Sequence, residues 1–267
     1  MCGIAGLAGA DAVRHQTTVA AMGLAQHHRG PDGTRHLISA DGRAVLSMNT
    51  LLIVDTAAQP GPYLDPTGGI VLTFNGEIYN YRQAAAAWGI PLEPGETDAH
   101  LVLRAWAKLG PGCLAGLDGM FALAVHDPSE GRLFLARDRL GEKPLYWRLD
   151  GGRLAFASEV TTLTGYGTAP LVVRPEMLSI ETPTGTDTPF QGIQLLPPAG
   201  LLAFDVATGP LEPWATAQIS SALDQAPLSL RPLLAGGLRP GGQFDRTRMQ
   251  ALMAAAWLSD HSLAAAA

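Results

Sequence analysis

Two cysteines, Cys2 and Cys113, are all that a chain of 267 residues carries. They lie too far apart for a Cys-x-x-Cys motif and are too few for a disulfide framework. Charge is scarce as well: only 16% of residues are charged, and 24 acidic against 18 basic side chains leave a net charge of −6. Nucleic acid is bound through clustered Lys and Arg, so this balance excludes it as the main partner. No window approaches the roughly 18 uninterrupted apolar residues of a membrane span, and no basic segment leads into an apolar run at the N-terminus. Membrane insertion and secretion are therefore not expected. His27, His28, His36, His100 and His126 show no metal-ligand spacing, and neither metal nor other cofactor is expected. Free thiols without partners predict a reducing, cytoplasmic setting.

What the chain has instead is apolar material, at 47% of residues, enough to fill a sizeable core. The stretches 34–39, 43–48, 70–74, 121–126, 132–137, 145–149 and 153–157 are short and apolar or alternating, with Asp-Gly, Gly-Gly and Asp-Pro between them. So many short strands imply stacked sheets. Residues 17–27 read as a helix capped by Thr17 or Thr18, with Val19, Met22 and Leu24 inside and Gly30-Pro31 as the stop. Thr97 is placed to cap a second helix from Asp98 to Leu109, on which Val102, Trp106 and Leu109 share a face before Gly110-Pro111. The fold class is α+β, two sheets covered by a few helices. After Trp214 the texture changes to mixed Pro, Gly, Ser and short apolar pieces, so 2–214 is expected as the domain and 215–267 as a linker and a weakly ordered or partner-docking tail.

The chain begins Met1-Cys2-Gly3-Ile4-Ala5-Gly6. Removal of Met1 would leave a thiol and a free α-amine on Cys2. An amine with a pKa of about 7.7–8 can take the thiol proton directly or through one water, which makes a nucleophile and its base in one residue. The alternative is a small buried hydrophobe. Further along come His28-Arg29-Gly30-Pro31-Asp32-Gly33, Asn75-Gly76-Glu77-Ile78-Tyr79-Asn80, Glu96-Thr97-Asp98, Leu117-Asp118-Gly119-Met120-Phe121-Ala122, Arg137-Asp138-Arg139-Leu140-Gly141-Glu142-Lys143-Pro144-Leu145-Tyr146 and Phe156-Ala157-Ser158-Glu159. This ordered set resembles the glutaminase domain of the asparagine synthetase family, the class 2 glutamine amidotransferases with an N-terminal cysteine. The resemblance covers about residues 2–214 and stops where a synthetase domain would begin. It implies the four-layer α-β-β-α sandwich of N-terminal nucleophile hydrolases.

The resemblance implies Cys2 as nucleophile, the side-chain amide of Asn75 and the backbone N–H of Gly76 as the oxyanion hole, and Asp98 as the group binding the α-ammonium of glutamine. It sets Thr50-Leu51-Leu52-Ile53-Val54-Asp55 and Glu77 along the substrate pocket. Read alone, Asn75-Gly76 is equally a tight turn after a strand, and Asp98 also suits the first turn of a helix dipole. Arg29 is expected to pair internally beside the site. Arg137, Asp138, Arg139 and Lys143 read as a structural ion-pair network around a turn.

Two positions depart from the family pattern. Where the family has an arginine that clamps the substrate carboxylate, this chain has Thr50. A hydrogen bond to a charged group is worth roughly 1.5–3 kcal/mol, so glutamine recognition would fall about 10–100-fold unless another cation, such as Arg14 or Arg29, or a partner completes the pocket. Otherwise the site takes an amide without a free α-carboxylate. His100 stands where the family usually has an acidic residue. Residues Leu233 to Pro240 resemble a pyrophosphate loop faintly, but Ala235 and Arg239 replace its serine and aspartate, so no ATP use is expected. The expected function is a free-standing glutaminase that hands ammonia to a separate synthetase or other acceptor enzyme. An amidohydrolase for another amide and a catalytically silent regulatory relic stay open beside it.

Overall fold

The structure, a computed structural model, describes residues 1–52, 60–67, 69–168, 170–178, 185–209 and 211–214. The expected tail at 215–267, with its loop at 233–240, lies outside the described residues. In chain order the strands are β1 (Gly3–Ala8), β2 (Gly33–Ile38), β3 (Ala44–Thr50), β4 (Tyr63–Leu64), β5 (Val71–Ile78), β6 (Gly119–Asp127), β7 (Arg132–Arg137), β8 (Tyr146–Asp150), β9 (Arg153–Ala157), β10 (Ile193–Leu195), β11 (Leu201–Asp205) and β12 (Leu211–Trp214). The helices are α1 (Gln16–Ala25), α2 (Tyr81–Trp88), α3 (Asp98–Leu109) and α4 (Val160–Thr164), with short 3-10 turns between elements.

Two six-stranded antiparallel sheets result, ordered β10-β8-β9-β1-β3-β2 and β12-β11-β7-β6-β5-β4. They stack face to face. Helices α1 and α4 pack on the outer face of the first sheet and α2 and α3 lie outside the second, which makes an α-β-β-α sandwich. Strand residues alternate between the layers, as the period of two requires. Ile4 and Ala8 of β1, Leu46 and Met48 of β3, Val71 of β5, and Ala122 and Ala124 of β6 meet in the core between the sheets. Ala5, Leu7 and Val45 turn outward to Val19 and Met22 of α1, while Leu72, Phe74, Leu123 and Val125 turn outward to Leu101, Val102 and Trp106 of α3.

Strand β1 is absent from the expected elements, although it lies at the centre of its sheet. Its sequence, Gly-Ile-Ala-Gly-Leu-Ala, is buried at every position and so shows no polar alternation. Small residues are needed there: a Cβ on Gly6 would lie 2.6 Å from the Phe156 ring and 2.7 Å from Leu46. The first helix starts earlier than expected, at Gln16, because a 3-10 turn over Ala12–His15 already carries the chain into it, and neither Thr17 nor Thr18 caps it. Leu24, at 74% exposure, lies on its solvent face, and Leu109 at the end of α3 is also exposed. The α3 bounds match expectation. Trp106 at its centre is buried against the Phe134 ring, with centroids 5.1 Å apart. Trp106→Ala is expected to cost about 3–5 kcal/mol in urea unfolding, and a loss below about 1 kcal/mol would contradict this packing.

Candidate active site

The ends of β3 and β5 and the residue just ahead of β1 deliver side chains to one open end of the space between the sheets. Cys2 precedes Ile4 by two residues and shares its inward face, and Thr50 continues the inward series of Leu46 and Met48. Asn75 and Glu77 continue the series that Val71 begins on β5. Cys2, Thr50, Leu51, Leu52, Asn75, Gly76, Glu77 and Asp98 line a single cleft of about 430 Å³, together with Met1, Tyr63, Arg82, Met120 and Lys143. Ile53 and Val54 lie outside the described residues.

The Cys2 thiol is half-buried. It accepts a hydrogen bond from the Leu51 N–H at 3.5 Å. Burial pushes its pKa above the usual 9.0, and that hydrogen-bonding environment, the chain's terminal ammonium and the Arg29 guanidinium all pull it back. Arg29 holds the backbone as well: its Nε donates to the Cys2 carbonyl at 3.1 Å, and its Nη1 contacts Glu159 Oε1 at 3.2 Å. His28 Nε2 meets the same carboxylate oxygen at 2.8 Å. Arg29 therefore pairs internally, as expected; its Nη2 is buried without a partner among the described residues, and Arg29 is not among the residues lining the cleft. Arg14 is exposed in the 3-10 turn over Ala12–His15 and is not among the residues lining the cleft, so it does not replace the clamp.

Asn75-Gly76 is not a turn. Both residues lie inside the eight-residue strand β5, opposite Ala122 and Phe121. Glycine is required at 76 by close approach, since a Cβ there would lie 2.4 Å from the Met120 carbonyl oxygen and 2.7 Å from Phe121 Cα. The Asn75 side chain is buried, and among the described residues its Nδ2 has no hydrogen-bond partner. The ladder fixes where the Gly76 N–H points. Tyr79 N–H bonds to the Asp118 carbonyl across β6, whereas Ile78 N–H points the other way, to Asp98 Oδ2 at 2.8 Å. Antiparallel alternation puts the Gly76 N–H on the same edge as that of Ile78. β4 pairs only as far as Val71 and Leu72, and among the described residues no strand covers that edge at Gly76.

Asp98 opens α3, where its carboxylate also accepts the Ala99 N–H at 2.8 Å. Burial pushes its pKa up to about 6, with Glu77 adding to the rise and the backbone donors opposing it. His100, at the third position of the helix, accepts the Thr97 N–H on Nδ1 at 3.1 Å and completes a capping box with it. Its imidazole packs edge-on against Tyr63, with ring centroids 5.2 Å apart. Burial lowers its pKa, so the acceptor is the neutral ring.

At the turn over 137–143, expected as an ion-pair network, the side chains also bond extensively to backbone. The Asp138 carboxylate accepts backbone N–H groups from Leu140, Glu142, Lys143 and Phe121 at 3.0–3.2 Å. Arg137 donates to the carbonyls of Lys143 and Leu196, each at 2.6 Å, and of Gly141. Arg139 reaches the Ala115 carbonyl at 2.8 Å. These side chains brace backbone, while Lys143 reaches the cleft. Among the described residues, no three His, Cys, Asp or Glu side chains converge where they could share a metal ion, and no helix is long and apolar enough to cross a membrane.

This sandwich recurs in solved structures. The structure of glutamine phosphoribosylpyrophosphate amidotransferase from B. subtilis, complexed with ADP and GMP, superposes with a TM-score of 0.56 at 16% identity, over 80% of this chain and 50% of that one. A structure described as the allosteric regulatory enzyme of purine biosynthesis gives 0.57 at 15% identity. The fold is that of the N-terminal nucleophile hydrolases. The family profile described as "Glutamine amidotransferase domain" matches residues 1–215, and the chain belongs to that family. Among curated relatives, "Asparagine synthetase [glutamine-hydrolyzing] 2" of Bacillus subtilis is 32% identical over 64% of this chain and 23% of its own length. "Asparagine synthetase B [glutamine-hydrolyzing]" of Escherichia coli is 35% identical over 61% and 30%. An amidase of Gibberella zeae is 30% identical over 54% and 22%. The chain thus spans a third or less of the length of these relatives.

The two thiols differ in exposure and acidity. Cys113 is buried under α3, and burial pushes its pKa up to about 12. In the native protein iodoacetamide should alkylate Cys2, increasingly so above pH 8, and spare Cys113 until the chain is unfolded. Peptide mass mapping reads this directly, and equal labelling of both thiols would contradict the described burial.

Proposed function

We propose that this domain hydrolyses the side-chain amide of L-glutamine through Cys2 after removal of Met1, and supplies ammonia to an acceptor-activating unit outside the described residues. The observation that carries this reading is the convergence of Cys2, Asn75, the Gly76 edge and Asp98 on one cleft. Met1, at 56% exposure, stands at the mouth, and small residues follow it.

In this mechanism the freed α-amine of Cys2 takes the thiol proton, and sulfur attacks the amide carbon. The resulting oxyanion is bound by Asn75 Nδ2 and the Gly76 N–H, two fixed and uncharged donors that need no rearrangement as charge develops. Collapse breaks the C–N bond, the protonated amine gives its proton to the departing nitrogen, and ammonia leaves a thioester on Cys2. Water, deprotonated by the same amine, then releases glutamate. Asp98 holds the substrate ammonium throughout. Its buried carboxylate is poorly solvated, so an arriving cation replaces lost hydration and favours ionisation.

Thr50 favours a second reading, in which the amide has a masked carboxylate. The amidase of Gibberella zeae among the relatives keeps that reading in view. Ammonia release from L-glutamine and from carboxylate-masked glutamine separates the two.

The processed protein should release ammonia and glutamate in equal amounts from L-glutamine. Cys2→Ala should abolish the reaction, and Asn75→Ala should lower kcat by about 10²–10³-fold. Activity surviving in Cys2→Ala would sink the mechanism, and intact-mass spectrometry on the same sample establishes whether Met1 is gone. Binding should also depend on pH through Asp98. Its pKa of about 6 means that the carboxylate is charged above that pH and neutral below it. Calorimetry with the Cys2→Ala protein should show L-glutamine affinity falling about tenfold from pH 7 to pH 5. Asp98→Asn should bind weakly and lose that dependence.

A further inference from the structure

Among the residues lining the cleft, Lys143 is the cation whose position has no structural use for its charge. Its backbone is held at both ends, the N–H by Asp138 at 3.1 Å and the carbonyl by Arg137 at 2.6 Å. The residue is only 8% exposed, and its side chain lines the same cleft as Cys2 and Asn75. Among the described residues, its ammonium makes no hydrogen bond and no ion pair. The ammonium has no partner of its own there, and an anion entering the cleft would supply one.

Of the other cations near the site, Arg29 does not line the cleft and Arg82 lines it but is exposed. Arg29 holds the Cys2 carbonyl and Glu159 through Nε and Nη1, while its Nη2 is buried without a partner among the described residues. Arg82 is exposed, stacks 5.3 Å from the Tyr81 ring centroid and donates to the Tyr81 hydroxyl at 2.8 Å. Thr50, at 3% exposure, offers a hydroxyl that is unpaired among the described residues, and no charge. The Asp98 side of the cleft, with Glu77 beside it, suits the ammonium of an amino-acid amide. Such a ligand also carries a carboxylate, which needs a cation of opposite placement.

We infer that Lys143 reads the substrate's α-carboxylate, with the Thr50 hydroxyl as a second donor, in the cleft where the arginine clamp is missing. The inference rests on the amide-hydrolase reading for its choice of ligand, though not on turnover. Lys143 is a binding residue here: a flexible stem on a pinned backbone delivers a point charge instead of a bidentate fork. The substrate class is an α-amino-acid amide with both backbone charges free.

The test is calorimetric binding to the full chain in a Cys2→Ala background at pH 7, comparing L-glutamine with L-glutamine whose α-carboxyl is capped as an amide. The expected result is an about 10–100-fold preference for the free carboxylate. Lys143→Met and Lys143→Gln should each shrink that preference to about twofold, and Lys143→Arg should keep most of it. Two neutral replacements guard against one of them failing to fold, which circular dichroism would reveal. Equal binding of the two ligands by the parent, absence of binding by either, or a preference that survives both neutral replacements would overturn the inference. Ammonia release with a preference indifferent to Lys143 would sink this inference and spare the hydrolase reading. A Lys143-dependent preference without ammonia release in the protein that retains Cys2 would do the reverse.

Discussion

Two antiparallel sheets stacked with their inner faces together allow only every second residue of each strand into the space between them, and the site is built from that rule. Along most of β1, β3, β5 and β6 the inward residues are Ile, Leu, Met, Val and Ala. Toward one end the same series run into Cys2, Thr50, Asn75 and Glu77. At the β2–β3 hairpin the stack is tied instead, where fully buried His126 of β6 meets Asp41 at 3.1 Å. A core closed by a His–Asp contact and opened at the cysteine makes the cleft a continuation of the core, with no separate scaffold needed.

Burial and backbone donors act on the site in opposite directions. Burial raises the pKa of Cys2 and of Asp98, and in both cases backbone N–H groups work against it: Leu51 for the sulfur, Ile78 and Ala99 for the carboxylate. Backbone donors suit this role because they belong to strands or a helix start whose positions the fold already fixes. The Ile78 N–H has a further consequence. Because it points away from β6, the Gly76 N–H must do so too, and a single edge of β5 presents one donor to Asp98 and another to the cleft.

How far the sequence discloses this depends on whether a signal is local. Helix α3 was legible to the residue, because Thr97, Asp98 and Gly110 mark its ends and Trp106 its buried face. Strands with polar flanks, such as β7 and β9, were legible within a residue. Strand β1 was not, since a strand buried on both faces with glycine at a contact point carries no alternation. The Ala-rich α2 lacked a strong cap signal at its start, although Gly89 ends it in a left-handed conformation. Asn75-Gly76 reads as a turn because its neighbours in sequence say nothing of Met120, whose carbonyl excludes any side chain at 76. Lys143 sits in a motif dense with charge, and only the tertiary structure separates the side chains that brace the turn from the one that enters the cleft.

The two departures from the family pattern make better sense together than singly. Thr50 removes a positive charge from the place where the resemblance sets arginine, and His100 removes a negative one from the start of α3. Tyr63 lines the cleft and packs its ring on His100, so both changes act on one neighbourhood. A carboxylate at 100 would cap Thr97 equally well, but it would add a further acid to a cleft that Glu77, Glu96 and Asp98 already line, and a like charge beside Asp98 would raise its pKa further. The neutral imidazole supplies the same acceptor at 3.1 Å without that charge. With the arginine gone, the nearby cations are fewer, and an extra carboxylate would have less to balance it. Substituting histidine keeps the helix start intact and keeps Asp98 ionised at neutral pH, where a cationic ligand can find it.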